Sequence, residues 1–218
     1  MGFNQSVNGF RARRGRLLRR QIEELSRQLG REITVLDLGG RAAYWENVGL
    51  DNIARIDLLN TSEAEFGPDT AATPEPGLFR RVVGDACDLA HYADKSVDLV
   101  HSNSVIEHVG GWARMRAMAR EALRVGRSGW VQTPAWEFPV EPHFHLPFMH
   151  WFETPLRSRM IGWSPLAVYR DCDLDTRRTL AEGINLVSRR EFRALFPGTT
   201  LHVERFVLSK SYTARRMP

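Results

Sequence analysis

The stretch from Ile33 to Gly40 constrains the fold of this chain more than any other. Its first part, Ile33 to Leu38, is a short apolar run rich in β-branched residues, which predicts a strand buried on both faces. Gly39 and Gly40 follow, where the backbone can turn sharply because neither residue has a Cβ atom. Helical spacing of apolar residues then resumes. Such a strand–glycine–helix unit exposes backbone N–H groups at the carboxyl edge of a sheet, the usual place for a nucleotide-like ligand.

Further strand patterns alternate with helical patterns along the rest of the chain. We predict strands near residues 52–59, 80–85, 97–103, 129–133, 200–208 and 210–214, and helices near residues 6–29, 112–123 and 188–196. This alternation predicts right-handed crossovers and an α/β fold with a doubly wound, mostly parallel sheet. The length of 218 residues suits a single domain over residues 1–218.

Composition indicates an ordinary soluble protein. Hydrophobic residues make up 43% of the chain and charged residues 26%. We find neither an apolar run long enough to span a bilayer nor a signal-peptide pattern. Cys87 and Cys172 are too few for a disulfide framework or a cysteine-based zinc site. These features predict a reducing, cytoplasmic setting.

The basic residues are concentrated at one end of the chain. The formal net charge is only +4, but the predicted leading helix (residues 1–30) carries a cluster of arginines: Arg11, Arg13, Arg14, Arg16, Arg19 and Arg20. We interpret this cluster as a solvated helix face. A contact with nucleic acid or anionic lipid is the alternative interpretation.

Acidic residues are predicted at the carboxyl ends of three successive strands. Asp57 comes twenty residues after Asp37, the offset at which an acidic side chain typically meets ribose hydroxyls in a dinucleotide site. A carboxylate suits that task because it can accept two hydrogen bonds from a vicinal diol. Asp85 could accept a hydrogen bond from an exocyclic adenine amine, and Asn103 closes the fourth strand at the same edge.

Three segments of the chain together resemble a known family. Val35–Gly40, Val83–Ala86 and Val97–His108 are similar to the successive motifs of Rossmann-like (class I) S-adenosylmethionine-dependent methyltransferases. The resemblance covers roughly residues 33 to 134 and implies a seven-stranded sheet whose last strand is antiparallel. Arg41 and Ala43 stand where relatives usually have further glycines, which we interpret as a subfamily with a Gly-Gly variant of the first motif.

The same resemblance implies S-adenosyl-L-methionine as cofactor and a set of residues that holds it. Asp37 and Gly39 would face the methionine moiety, Asp57 the ribose, and Asp85 with Ala86 the adenine. The full set predicted to bind the cofactor is Asp37, Gly39, Gly40, Asp57, Asp85, Ala86 and Asn103.

An aromatic, histidine-rich insertion is predicted at residues 134–182. We interpret it as a lid or acceptor wall, with a structural cap as the alternative. An oxygen acceptor needs a base, and His108 and His143 are the candidates because histidine titrates near neutral pH. The residues predicted to contact the acceptor are Glu141, His145, His150 and Trp151. No second ligand cluster accompanies these histidines in the sequence, so we predict no metal site.

The sequence therefore predicts methyl transfer to an oxygen or nitrogen of a small-molecule, sugar or lipid-linked acceptor. One alternative is an RNA or DNA methyltransferase that uses the basic leading helix. Another is a non-catalytic interaction protein in which Arg41 fills the cofactor pocket. The sequence leaves the identity of the acceptor and the formation of a homo-oligomer open.

Overall fold

A seven-stranded sheet forms the centre of the computed structural model, which describes residues 3–66 and 77–218. The strands, in the order β3-β2-β1-β4-β5-β9-β8 across the sheet, are β1 Ile33–Leu38, β2 Ile53–Asn60, β3 Phe79–Val83, β4 Val97–Asn103, β5 Gly126–Pro134, β8 Thr200–Phe206 and β9 Leu208–Arg216. The first five strands are parallel, and β9 runs antiparallel to both of its neighbours. The predicted fold class is confirmed.

Helices cover both faces of this sheet. The α-helices are α1 Phe3–Leu29, α2 Ala42–Val48, α3 Trp112–Val125, α4 Thr154–Ile161, α5 Ala167–Arg170, α6 Leu174–Gly183 and α7 Arg189–Leu195, of which α4 to α6 belong to the insertion after β5. α7 is preceded by Ser188, whose side chain accepts a hydrogen bond from the backbone N–H of Glu191 in a capping box. Among the described helices, none combines the length and apolarity needed to cross a membrane.

Each face of the sheet has its own hydrophobic core. Leu18 and Ile22 of α1 pack with Trp45 of α2 on one face, while Met115 and Met118 of α3 are buried in the core of the other. These buried faces follow from the helical spacing of the apolar residues. Both cores lie between the sheet and its helices. The carboxyl ends of the parallel strands lie at the edge of these cores, where a site can form.

The insertion after β5 has a third, smaller core. Phe144, Met149, Ile161 and Ala181 are buried together within it. Its chain includes a short hairpin of β6 Val140–Glu141 and β7 Leu146–Pro147, followed by α4, α5 and α6. The insertion is therefore a packed structure of its own.

Candidate active site

The Gly39–Gly40 turn needs glycine at both positions, for two different reasons. Gly39 has a φ of +72°, and a Cβ there would lie 2.5 Å from Cγ2 of Val105. A Cβ on Gly40 would lie 1.9 Å from Oδ2 of Asp37. The second glycine is thus required because the Asp37 carboxylate passes against the turn.

Asp37 directs its carboxylate into the protein and is only 1% exposed. Its Oδ2 accepts a hydrogen bond from Nε1 of Trp45 at 2.6 Å, and its Oδ1 lies 2.6 Å from Nδ1 of His101. Nε2 of His101 lies 3.3 Å from the hydroxyl of Tyr44, whose pKa is raised by burial and by the charge of Asp37. These contacts connect β1, α2 and β4 beneath the turn, so we assign Asp37 a role in holding the turn in place.

His101 was missed as a site residue at the level of sequence. It is 1% exposed and stands in β4, between the buried Val100 and Ser102. A polar ring in a strand predicted to be buried is a signal that it has a buried partner. The identity of that partner, 64 residues away in the chain, does not follow from local pattern.

The prediction that Asp57 ends its strand is wrong. β2 continues to Asn60, and Asp57 pairs with Leu36, one residue before Asp37 in β1. Both carboxylate oxygens of Asp57 contact Arg80, at 2.9 and 2.5 Å, and Arg55 donates a further bond. Asn60 occupies the end of the strand instead, where its amide donates to the carbonyl of Gly40 at 2.9 Å.

Asp85 lies just after β3, as predicted, with its side chain 41% exposed. It accepts hydrogen bonds from the backbone N–H of Cys87 and from the guanidinium of Arg114, both at 2.9 Å. Burial alone would raise the pKa of Asp85, but these two donors outweigh it and lower the pKa. Asp85 therefore presents an ionised, partly exposed carboxylate, next to the buried Ala86.

One arginine of the leading helix contacts the edge of the sheet. Arg14 donates to Oδ1 of Asn103 at 2.9 Å and forms a two-bond ion pair with Glu204 of β8. A cavity of about 190 Å³ opens beside this contact, lined by Asn103, Gln132 and His145 among others. The end of β4 and the insertion thus face a common space.

A second, larger groove of about 1100 Å³ lies between α1 and α2. Its lining includes the arginines Arg11, Arg14, Arg16, Arg19 and Arg41. The guanidinium of Arg41 is turned toward the loop after β2, where its Nε donates to the carbonyl of Glu65 at 3.0 Å. Its side chain is 61% exposed, so Arg41 lies at the wall of the groove without occupying it.

His108 and His143 come together although 35 residues separate them in the chain. Their Nε2 atoms are 3.0 Å apart, and Nδ1 of His143 lies 2.5 Å from Oε1 of Glu141. Burial opposes protonation of His143, but Glu141 outweighs it and raises the pKa. Burial, and then the charge of His143, lower the pKa of His108 to about 4. The two candidate bases are thus in direct contact, and the charge of one affects the pKa of the other.

Glu107 completes this cluster and was not predicted as a site residue. Its side chain is fully buried, and Oε2 accepts a hydrogen bond from the hydroxyl of Thr133 at 2.9 Å. Burial raises the pKa of Glu107 to about 7. Its other oxygen, Oε1, has no hydrogen-bond partner among the residues that the structure describes.

The residues predicted to contact the acceptor have different surroundings. His145 is exposed and lines the 190 Å³ cavity. Glu141 is 1% exposed and accepts from the backbone N–H groups of His143 and Phe144. His150 and Trp151 both bond to the carbonyl of Trp136, at 2.8 and 2.9 Å. The last three therefore stabilise the insertion in this structure.

Comparisons with known proteins agree with this architecture. Residues 36–131 match the sequence model of a family described as a methyltransferase domain. A putative O-methyltransferase from Nostoc punctiforme has 15% identity and a TM-score of 0.55; the alignment covers 98% of this chain and 59% of that one. The PH0226 protein from Pyrococcus horikoshii has 18% identity and a TM-score of 0.55, with 93% of this chain and 90% of that chain covered.

The N-methyltransferase NodS from Bradyrhizobium japonicum is also similar, with 13% identity, a TM-score of 0.52, and coverage of 92% of this chain and 93% of that one. A search of curated protein sequences found no significant match. The match over residues 36–131 and the shared fold agree with the resemblance of this chain to Rossmann-like (class I) S-adenosylmethionine-dependent methyltransferases. The Gly-Gly subfamily assignment stays a prediction.

Proposed function

We propose that this protein transfers a methyl group from S-adenosylmethionine to an oxygen or nitrogen of a small-molecule, sugar or lipid-linked acceptor. The observation that carries the proposal is the convergence of the glycine turn, Asn60, Asp85 and Asn103 at the carboxyl edge of four neighbouring parallel strands. In α/β sheets of this kind, ligands bind outside the carboxyl ends of the strands. When bound, S-adenosylmethionine supplies an electrophilic methyl group on a sulfonium.

The residues present at this edge suit an adenosyl ligand. The turn at Gly39 and Gly40 has no side chains, which allows close approach to the backbone. Asn60 would replace Asp57 as the ribose contact: its amide nitrogen binds Gly40, and its oxygen can accept from a hydroxyl. Asp85 keeps about one acceptor position for the adenine amine, since a carboxylate has about four and the structure uses three.

The acceptor would lie between the end of β4 and the insertion. Methyl transfer from a sulfonium mainly requires alignment of the nucleophile and exclusion of water. His143, oriented by Glu141, is the candidate base for an oxygen acceptor because a carboxylate partner fixes the ring and strengthens it as a base. Residues 134–182, as a lid or acceptor wall, would shield this reaction from water.

Asp85→Ala is expected to raise the Kd for S-adenosylmethionine about 10- to 100-fold, since a hydrogen bond to a charged group contributes about 1.5–3 kcal/mol. Isothermal titration measures this directly. Asp88→Ala is the matched control, because Asp88 lies in the same turn and its side chain bonds only to the backbone N–H of Ala90 among the described contacts. Absence of S-adenosylmethionine binding by the unaltered protein would contradict the proposed function. Acceptors can then be screened with a radiolabelled methyl donor.

A nucleic-acid acceptor is the second candidate, and the arginine-lined groove between α1 and α2 favours it. Arginine side chains bind phosphates through paired, charge-assisted hydrogen bonds. Two of the helix arginines already have structural partners: Arg14 binds Glu204, and Arg19 binds the carbonyl of Val48. If RNA or DNA is the acceptor, the affinity of the protein for nucleic acid will fall steeply as the salt concentration rises. Arg11→Gln and Arg16→Gln will also weaken that binding. A small-molecule acceptor predicts neither effect.

A further inference from the structure

We infer that Glu107, His108 and His143 form a binding site for a divalent transition-metal ion. Each of the three residues offers one ligand atom, and these atoms all lie within 4.8 Å of one another. Two imidazoles and one carboxylate are a donor set that recurs in zinc and non-haem iron sites. The sequence did not indicate this set, because Glu107 was outside the histidine-rich segment.

The facing nitrogens of the two histidines support this assignment. Their Nε2 atoms are 3.0 Å apart. With metal–nitrogen bonds of about 2.0–2.1 Å, two imidazoles bound to one ion place their nitrogens about 3 Å apart. A small movement of either ring would therefore admit an ion in place of a shared proton.

Both histidines have further hydrogen-bond partners, and His143 is held through its second ring nitrogen, as metal-bound histidines usually are. Nδ1 of His143 lies 2.5 Å from the carboxylate of Glu141. His108 has a hydrogen bond to the backbone of Gly183. Such outer contacts fix the ring orientation and leave Nε2 with a lone pair for the ion.

The unpartnered oxygen of Glu107 also supports a bound cation, independently of the two histidines. Oε1 is buried and has no hydrogen-bond partner within the described residues, whereas Oε2 is bonded to Thr133. A buried carboxylate oxygen without a partner is costly, and a cation beside it removes that cost. Imidazole ligands favour Zn²⁺, Fe²⁺, Ni²⁺ or Cu²⁺ over Mg²⁺ and Ca²⁺, which prefer oxygen.

Three protein ligands leave at least one coordination position open, as in catalytic metal sites. If the proposed function holds, that position could take an acceptor hydroxyl, whose pKa the ion would lower. The proposal of a metal site rests on its own geometry and does not require methyl transfer. Its test is therefore performed without cofactor or acceptor.

Metal-stripped protein should bind one equivalent of Zn²⁺ in competition with a chromophoric chelator, and one equivalent of Co²⁺ with visible d–d absorption. Glu141→Gln should weaken binding about 10- to 100-fold, the usual loss for an outer-shell partner. Loss of a ligand, in Glu107→Gln or His143→Ala, should weaken it at least as much. The near-isosteric Glu107→Gln carries the test if His143→Ala fails to fold. His91→Gln, at an exposed histidine, is the matched control.

Three results would overturn the metal site: no stoichiometric binding by the unaltered protein, equal weakening by His91→Gln, or affinity unchanged in folded Glu107→Gln. Circular dichroism confirms folding of each variant. S-adenosylmethionine titration of the same samples separates the two proposals. Cofactor binding without metal binding refutes only the metal site, while metal binding without cofactor binding refutes only the proposed function.

Discussion

Asp37→Ala is expected to lower the free energy of unfolding by about 2–6 kcal/mol, because it leaves two buried hydrogen-bonding groups without a partner and each costs about 1–3 kcal/mol. The substitution leaves the indole N–H of Trp45 and the ring of His101 without their acceptor in the interior. Neither group can reach water, since both residues are essentially unexposed. Urea denaturation followed by circular dichroism measures the loss.

Two further variants test whether the carboxylate itself is responsible. Asp37→Asn should lose less, because its amide oxygen can still accept from Trp45. Gly40→Ala should also destabilise the protein, since its Cβ would displace Oδ2 of Asp37. Asp51→Ala, at an exposed turn before β2, should change stability by less than about 0.5 kcal/mol. Equal stability of Asp37→Ala and Asp51→Ala would contradict the structural role.

The strands and the mostly parallel arrangement of the sheet could be predicted because local pattern and topology rules act together. Apolar runs identify β1 and β4, and the crossover rule makes them parallel. The glycine turn was also predicted, although the reason for Gly40 was not. That reason is the path of the Asp37 side chain, which depends on His101 in another strand.

Asp57 shows where local spacing fails. Asp57 lies twenty residues after Asp37, the spacing expected for a ribose contact. However, β2 extends to Asn60, so Asp57 lies inside the strand and not at its end. The nearby Arg80 of β3 then neutralises the carboxylate. Strand ends are set by pairing with neighbours, so a shift of three residues moves a side chain from the edge to the sheet interior.

The cluster of Glu107, His108 and His143 could not be assembled from sequence. His108 follows β4 and His143 lies in the insertion, 35 residues further along the chain. Glu107 stands in a short helix, and nothing in the local sequence indicates that it has a special role. Their convergence depends on how the insertion returns to the sheet. Asn185 donates to the carbonyl of Glu107 at 2.8 Å, which ties the end of the insertion to the loop after β4.

His143→Ala is expected to slow methyl transfer to an oxygen acceptor by about 10²–10⁴-fold, the usual contribution of a general base. The expectation rests on the proposed function and on the orientation of His143 by Glu141. The measurement is the initial rate with radiolabelled S-adenosylmethionine and the acceptor found by screening. The Kd for S-adenosylmethionine should stay within about twofold, because His143 lies outside the set that holds the cofactor.

The variants of Glu141 and His91 determine how this loss is interpreted. Glu141→Gln keeps the imidazole but weakens its orientation, so its rate should lie between those of the unaltered protein and His143→Ala. His91→Ala should leave the rate unchanged. If the His143 ring acts as a base, added imidazole should partly restore the rate of His143→Ala. If the ring acts by binding a metal ion, a chelator should slow the unaltered protein. A full rate in His143→Ala would refute both roles, because each requires this ring beside the acceptor.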